Sequence, residues 1–196
     1  MVSQKGTDIV LTTTTTTTAN GGSVRLAHPR RTDFDIWAAL RRENIEYLRP
    51  WEPDVSTAGL NKPAYRARLS RLKKLVQQDQ AYPFYIFFEN KLVGACNITH
   101  IDRGIAESAR LGYWVAESFA RRGIARASVK AATEFCFTGL GLHRVEAAVQ
   151  CDNAASIKVL LASGYTHEGT ARGLLKINGA WRDHDIYARL SGDKVS

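Results

Sequence analysis

Hydrophobic positions change their period along this chain, and the changes mark its elements. A short strand is expected at about Val24 to His28, after which Thr32 or Asp33 can cap a helix. Phe34, Trp37 and Leu40 recur near helical spacing, and that helix must end before Pro50, because proline disfavours the helical conformation in the residue before it. Leu48 to Pro53 then reads as an ordered loop. A second helix follows Lys62-Pro63 and carries Leu69, Leu72 and Val76 on one face. The β-rich run Phe84 to Phe88, a turn at Glu89-Asn90-Lys91, and a return over Leu92 to Thr99 predict a hairpin. A strand is expected at Ser108 to Val115 and a helix at Arg122 to Phe137, with Ala127, Ala131 and Phe135 spaced four apart. Arg144 to Gln150 is the next strand. Asp152 or Asn153 caps a helix that Gly164 stops, and a terminal hairpin turns at Asn178-Gly179.

This order, β-α-α-β-β-β-α-β-α-β-β, predicts a mixed α/β domain on a twisted, mainly antiparallel sheet flanked by helices. The interruptions near residues 122 and 153 suggest a cleft where the sheet splays open. Residues 1–23, with Thr12 to Thr18 followed by Ala-Asn-Gly-Gly-Ser, are of low complexity and are expected to form a flexible tail outside a folded domain of residues 24–192. Cys96, Cys136 and Cys151 are too few and too far apart for a disulfide framework or a zinc site, so no metal is expected. No apolar run is long enough to span a membrane and the first residues do not read as a secretory signal, so the expected compartment is the cytoplasm.

Charge changes the picture. The chain has 27 Lys+Arg against 19 Asp+Glu, a formal net charge of +8. Residues 62–74 hold Lys62, Arg66, Arg68, Arg71, Lys73 and Lys74, and residues 121–130 hold Arg121, Arg122, Arg126 and Lys130, both without an acid. Such surfaces favour polyanions: a phosphorylated cofactor, RNA or a ribosome surface. A solvated helix face is the bland reading of the first run.

Candidate chemistry sits at Tyr113-Trp114-Val115 through Ala120-Arg121-Arg122-Gly123-Ile124-Ala125, where a strand runs into a helix. Gly123 and the small Ala125 permit close approach of a ligand, first-turn amides point at it, and Arg121 and Arg122 add guanidiniums. The loop suits a pyrophosphate, yet it is neither a Walker A loop nor a dinucleotide fingerprint. Asn153 and Ser156 lie in the first turn of the following helix.

Together these residues resemble the GNAT acetyltransferase superfamily, whose cofactor motif R/Q-x-x-G-x-G/A reads Ala120-Arg-Arg-Gly123-Ile-Ala125 here, with Ala120 departing from the first position. Asn153-x-x-Ser156, Gly164-Tyr165 and Glu168-Gly169 resemble its ribosomal-protein branch. Glu43 to Pro53, His143-Arg144 and Ile177 to His184 are similar to RimJ-type ribosomal-protein-alanine N-acetyltransferases. The resemblance implies acetyl transfer from acetyl-CoA to the N-terminal amine of a protein, a ribosomal protein beginning with alanine or serine, by direct attack through a tetrahedral intermediate. The partners implied are that acceptor and the ribosome, with neither DNA nor membrane, for a monomer or dimer.

The resemblance also implies roles. Tyr113, Trp114 and Val115 would hold the thioester and pantetheine through the backbone. Arg121, Arg122, Gly123, Ile124 and Ala125 would hold the pyrophosphate, and Asn153 and Ser156 would flank the pantetheine. Ser156 is the candidate to protonate the thiolate, because the tyrosine many members carry seven residues after the motif asparagine is Leu160 here. Glu146 is the candidate base, with an ion pair to a neighbouring arginine as its structural alternative. A carboxylate that a related branch places nineteen residues after the serine is Leu175 here. Glu43, Asn44, Trp51, Glu52 and Trp181 are candidate acceptor-binding residues, with Glu46 beside them. Surface helix charges are the structural reading of Glu43, Glu46 and Glu52, and a local polar cluster with Asp183 and Asp185 is the structural reading of His184, otherwise a candidate base. Two other functions stay open: acetylation of a small amine, which acids at Glu43, Glu46 and Glu52 would favour, and a non-catalytic ribosome-associated CoA-binding protein.

Overall fold

A computed structural model describes residues 2–5, 8–15, 21–53 and 57–193. The described strands form one sheet in the order β1-β2-β3-β4-β5-β6-β7-β9-β8. They are β1 (Val2–Lys5), β2 (Asp8–Thr15), β3 (Gly22–Ala27), β4 (Ala81–Phe88), β5 (Lys91–Asp102), β6 (Ser108–Val115), β7 (Arg144–Gln150), β8 (Thr166–Ile177) and β9 (Ala180–Leu190). Every neighbouring pair is antiparallel except β6 and β7. The helices are α1 (Phe34–Glu43), α2 (Ile45–Leu48), α3 (Lys62–Gln77), α4 (Ile124–Glu134) and α5 (Ala154–Ala162).

The alternation along β4 assigns the two faces. Phe84 and Ile86 join Val24, Leu26, Ile98, Leu111 and Val145 in the core that α4 and α5 cover with Val129, Ala132 and Leu160. Tyr85 and Phe87 turn the other way and pack with Trp37 of α1 and Tyr65 of α3. The arrangement is three layers, helix-sheet-helix, with both faces of the central strands removed from water. The apolar stripe expected on α3 is half-buried, and Tyr65, beside it, is the residue that seats the helix. Pro83 interrupts no ladder on the β3 side, because β3 pairs only with Tyr85 through Phe88.

Most expected elements are present, including the turn at Asn178-Gly179 and the limits of β6 and β7. The helix expected at Arg122 to Phe137 starts at Ile124 and passes into a π-turn over Phe135–Gly139. The reading of residues 1–23 as a tail outside the fold is corrected. Asp8–Thr15 pairs with β3 from Val10 and Ala27 to Thr15 and Gly22, and Leu11 is buried in the core. The physical reason is that Ile9, Val10, Leu11 and the threonines are β-branched or apolar residues that suit a pleated strand, which a judgement on low complexity overlooks. Residues 16–20 of this stretch lie outside the described residues.

Candidate functional site

β6 and β7 pair in parallel at Ser108 with Arg144, Ala109 with Val145 and Arg110 with Glu146, and there the pairing stops. Beyond it, Leu111–Val115 continues along β5 only, and Ala147–Gln150 continues along β9 only. Two strand edges therefore face each other without a ladder, offering backbone donors and acceptors to an extended ligand. Gly94 lets β5 press against β6 here, since a Cβ would collide with the carbonyl of Trp114. The expected splay is thus in place, bordered by Tyr113, Trp114 and Val115.

From the end of β6 the chain makes a short turn and enters α4. Arg121 and Gly123 are both left-handed, at φ +60° and +73°. A left-handed non-glycine residue costs about 1–2 kcal/mol, so Arg121 is a strained position held by its surroundings. No side chain caps α4, and its first intrahelical bond is the amide of Ala127 to the carbonyl of Gly123, at 2.9 Å. The amides of Ile124, Ala125 and Arg126 precede that bond and face outward from the helix start. Alternating backbone hands ahead of an uncapped helix make an anion-binding concavity. Arg121 and Arg122 are exposed beside it, Arg122 braced over Phe119 at 5.0 Å and donating to the carbonyl of Ser118 at 2.9 Å. These features fit a pyrophosphate. Ile124 can contribute only its backbone, because its side chain is in the core.

α5 starts on the other side of the splay. The Asn153 side chain accepts from the amide of Ser156 at 3.1 Å, so it caps the helix as its structural alternative required. The Ser156 hydroxyl lies 2.8 Å from the Tyr113 hydroxyl, which is also 3.2 Å from the Ser156 carbonyl. Burial raises the Tyr113 phenol above its ordinary value, and the bond to Ser156 opposes this only in part. Tyr113 thus joins the site by its side chain as well as its backbone, which the sequence reading missed. Alternation along β6 was the available signal, since it places Tyr113 and Leu111 on the same face. Leu160 is fully buried.

Across the sheet, the acceptor side is tied to the same cleft. Asn44 is 4% exposed. It donates to the carbonyl of Leu40 at 2.8 Å and accepts from the amide of Glu117 at 2.8 Å, pinning the α1–α2 joint to the turn that follows β6. Both ends of its amide are thus engaged within the fold. Glu52 is likewise engaged, by a fork from Arg41 at 3.1 and 2.6 Å, and the Arg41 guanidinium lies 5.0 Å over the ring of Trp114. Gln150 donates to the carbonyl of Pro50 at 2.7 Å, and Asn178 donates to the carbonyl of Arg49. The loop Leu48 to Pro53 is thereby held between the end of β7 and the β8–β9 turn. Neither tether was read from the sequence, because each joins residues about a hundred or more positions apart. Trp51 is half-buried on this loop, Trp181 is 67% exposed, Glu43 is exposed, and Glu46 pairs with Arg49.

Glu146 sits at the foot of the splay within an ion-pair cluster. Arg144 donates to it at 2.9 Å, Arg110 lies 3.6 Å from its other oxygen, and Arg144 also forks onto Glu168, whose carboxyl it holds below the ordinary value. In the structure Glu146 makes the ion pair that was its alternative reading. His184 is buried with Nδ1 2.9 Å from the carbonyl of Arg182, so Nδ1 carries the proton. Asp183 and Asp185, on the opposite and more exposed face of β9, accept from the Gly173 amide and the Thr170 hydroxyl, so the three side chains do not form one polar cluster. Among the described residues, no three His, Cys, Asp or Glu side chains are grouped to hold a metal, and no helix is long and apolar enough to cross a membrane.

Comparison with known proteins gives a consistent result. A family model described as an acetyltransferase (GNAT) domain matches residues 23–166. The ribosomal protein uS5-alanine N-acetyltransferase of Escherichia coli (strain K12) is 30% identical over 174 residues, covering 87% of this chain and 88% of that protein. Among solved structures, Mycobacterium smegmatis RimJ in complex with CoA-disulfide has a TM-score of 0.83 at 33% identity, over 86% of this chain and 82% of that one. The ribosomal-protein-S5-alanine acetyltransferase from Vibrio fischeri has a TM-score of 0.80 at 32% identity, over 88% and 94%.

Proposed function

The chain belongs to the GNAT acetyltransferase family, and we propose that, as an acetyl-CoA-dependent N-acetyltransferase, it modifies the N-terminal amine of a ribosomal protein beginning with alanine or serine, in the cytoplasm. The observation that carries this reading is the pairing of an uncapped α4 start with a hydroxyl pair, Ser156 and Tyr113, on opposite sides of one splayed seam. Acetyl-CoA supplies the acetyl group as a thioester. Arg121, Arg122 and the amides of Gly123, Ile124 and Ala125 bind its pyrophosphate. The open β6 edge at Tyr113, Trp114 and Val115 pairs with the pantetheine arm and donates to the carbonyl oxygen as negative charge develops. The neutral amine bonds to the thioester carbon as the carbon–sulfur bond breaks. Ser156, whose oxygen accepts from Tyr113, gives its hydroxyl proton to the departing sulfur and regains one from water, which takes the proton that the new amide nitrogen sheds. An N-terminal amine titrates at about 7.7–8.0, so a useful fraction is neutral near pH 7 and Glu146 can keep its ion pairs.

The loop Leu48 to Pro53, with Trp51, and the β8–β9 hairpin, with Trp181, form the walls against which the acceptor N-terminus lies, and Glu43 is the carboxylate open to its ammonium. The small-amine reading loses support because Glu52 and Glu46 are engaged by Arg41 and Arg49. The test is mass spectrometry of a peptide panel incubated with acetyl-CoA. Peptides with free Ala or Ser N-termini should gain one acetyl group. Acetylation of N-blocked lysine peptides or of small amines instead would overturn the reading.

A further inference from the structure

α3 presents a second surface, remote in sequence from the cleft residues. Its sixteen residues contain six cations and no acid. Arg68 is drawn inward over Trp37, at 5.3 Å, and Lys62 lies 3.7 Å from Asp35. Arg66, Arg71, Lys73 and Lys74 are exposed, and among the described residues their ammonium and guanidinium groups make no ion pair. At 100° per residue, Lys62, Arg66, Lys73 and Lys74 fall on one arc of about 120°, interspersed with Ser70 and Gln77. A neighbouring cleft of about 430 Å³ has an apolar floor that includes Leu69, Leu72 and Val76, with Arg31 and Lys73 as the cations in its lining.

Helix physics alone does not favour this arrangement. Lys62 and Arg66 near the α3 start oppose the helix dipole, with Asp35 of α1 beside Lys62 alone, whereas Lys74 in the last turn suits it. Like charges one turn apart also repel. An outside partner that supplies negative charge relieves both. Apart from Pro63 at the helix start, the outward arc carries no aromatic or aliphatic side chain, and so lacks the anchor that an interface with a folded protein needs at its centre and an amphipathic membrane helix needs on its buried face. Charge spread along about 18 Å of helix, from Lys62 to Lys74, matches a phosphodiester backbone.

We propose that the outward face of α3, with Lys62, Arg66, Arg71, Lys73 and Lys74 and flanked by Arg31, is a docking surface for RNA, gripped through its phosphates without base readout. The surface also complements the acetylation proposed above, on which its biological use rests. A chain of charge +8 repels a cationic acceptor, and an RNA scaffold that holds both removes that repulsion.

The experiment is fluorescence anisotropy of the full chain with a labelled 20-nucleotide single-stranded RNA of mixed sequence. With about four phosphates engaged, affinity should fall about 50-fold between 50 and 200 mM salt. Arg66→Glu with Lys73→Glu should weaken binding at least 30-fold, whereas Lys91→Glu with Lys176→Glu, the same charge change elsewhere, should weaken it less than fivefold. Acetylation of a short acceptor peptide should be unchanged by the α3 pair. Equal losses from both pairs, or equally tight binding of a polyglutamate peptide or of phosphatidylserine vesicles, would overturn the proposal. RNA binding is read without turnover, so a chain that acetylates no peptide leaves this result standing or falling on its own.

Discussion

The two helices that border the splayed seam begin in opposite ways. α4 starts at a left-handed Gly123 with no side chain on its first-turn amides, after a strained Arg121. α5 starts at Asn153, whose side chain takes the amide of Ser156, and its polar contact with the cleft is instead the Ser156 hydroxyl. An isolated helix gains about 1 kcal/mol from such a cap, so leaving α4 without one is a cost with no return inside the fold. The difference separates two tasks: α4 keeps donors available for an external anion, and α5 satisfies its own donors so as to hold one side chain still.

The strongest way to break this contrast is to place charge at the open start. Gly123→Glu forces a side chain into a left-handed position and sets a carboxylate where the anion lies. It should weaken acetyl-CoA at least 100-fold, about 2.7 kcal/mol, by titration calorimetry. Circular dichroism would confirm the fold, and Gly123→Ala, strained but uncharged, should keep measurable binding. Unchanged affinity in a folded Gly123→Glu variant would remove the pyrophosphate from α4.

The next test separates binding from turnover on the α5 side. Ser156→Ala should lower kcat about 10- to 100-fold with acetyl-CoA affinity within threefold, because the lost proton donor acts on the leaving sulfur. Tyr113→Phe should lower kcat about threefold to tenfold, and in the Ser156→Ala background it should have little further effect, since the two act as a unit. The phenol is raised above its ordinary value of about 10, so it stays protonated at every lower pH and wild type and Tyr113→Phe should share one alkaline limb up to that point. Additive losses in the double variant would dissolve the pair.

Much of this was legible from local pattern. The strand limits of β6 and β7, the Gly123 loop and the Asn153 start follow from periodicity and helix-end chemistry, which act within a few residues. What escaped depends on distance in the chain. Tyr113 meets Ser156 across 43 positions, and Gln150 reaches Pro50 across 100. Asn44 read as an acceptor contact because it lies beside Glu43 in a matching block, and the amide it accepts from, that of Glu117, arrives from another part of the fold. The threonine-rich strand escaped for a different reason: composition was weighed without the pairing edge that β3 presents.

The smallest expected effect sharpens the contrast most. Asn153→Ala deletes the cap that α4 lacks by design, so its effect should fall on the fold. Losing the bond to the Ser156 amide should cost about 1 kcal/mol in denaturant unfolding, with acetyl-CoA affinity within twofold. A modest fall in kcat is expected as well, because the cap sets the first turn that carries the Ser156 hydroxyl toward Tyr113. The Asp and Ser variants, which can still accept from that amide, should recover stability and kcat together. Tenfold weaker acetyl-CoA binding at undiminished stability would instead place the Asn153 amide on the cofactor, and the two helix starts would then share one task.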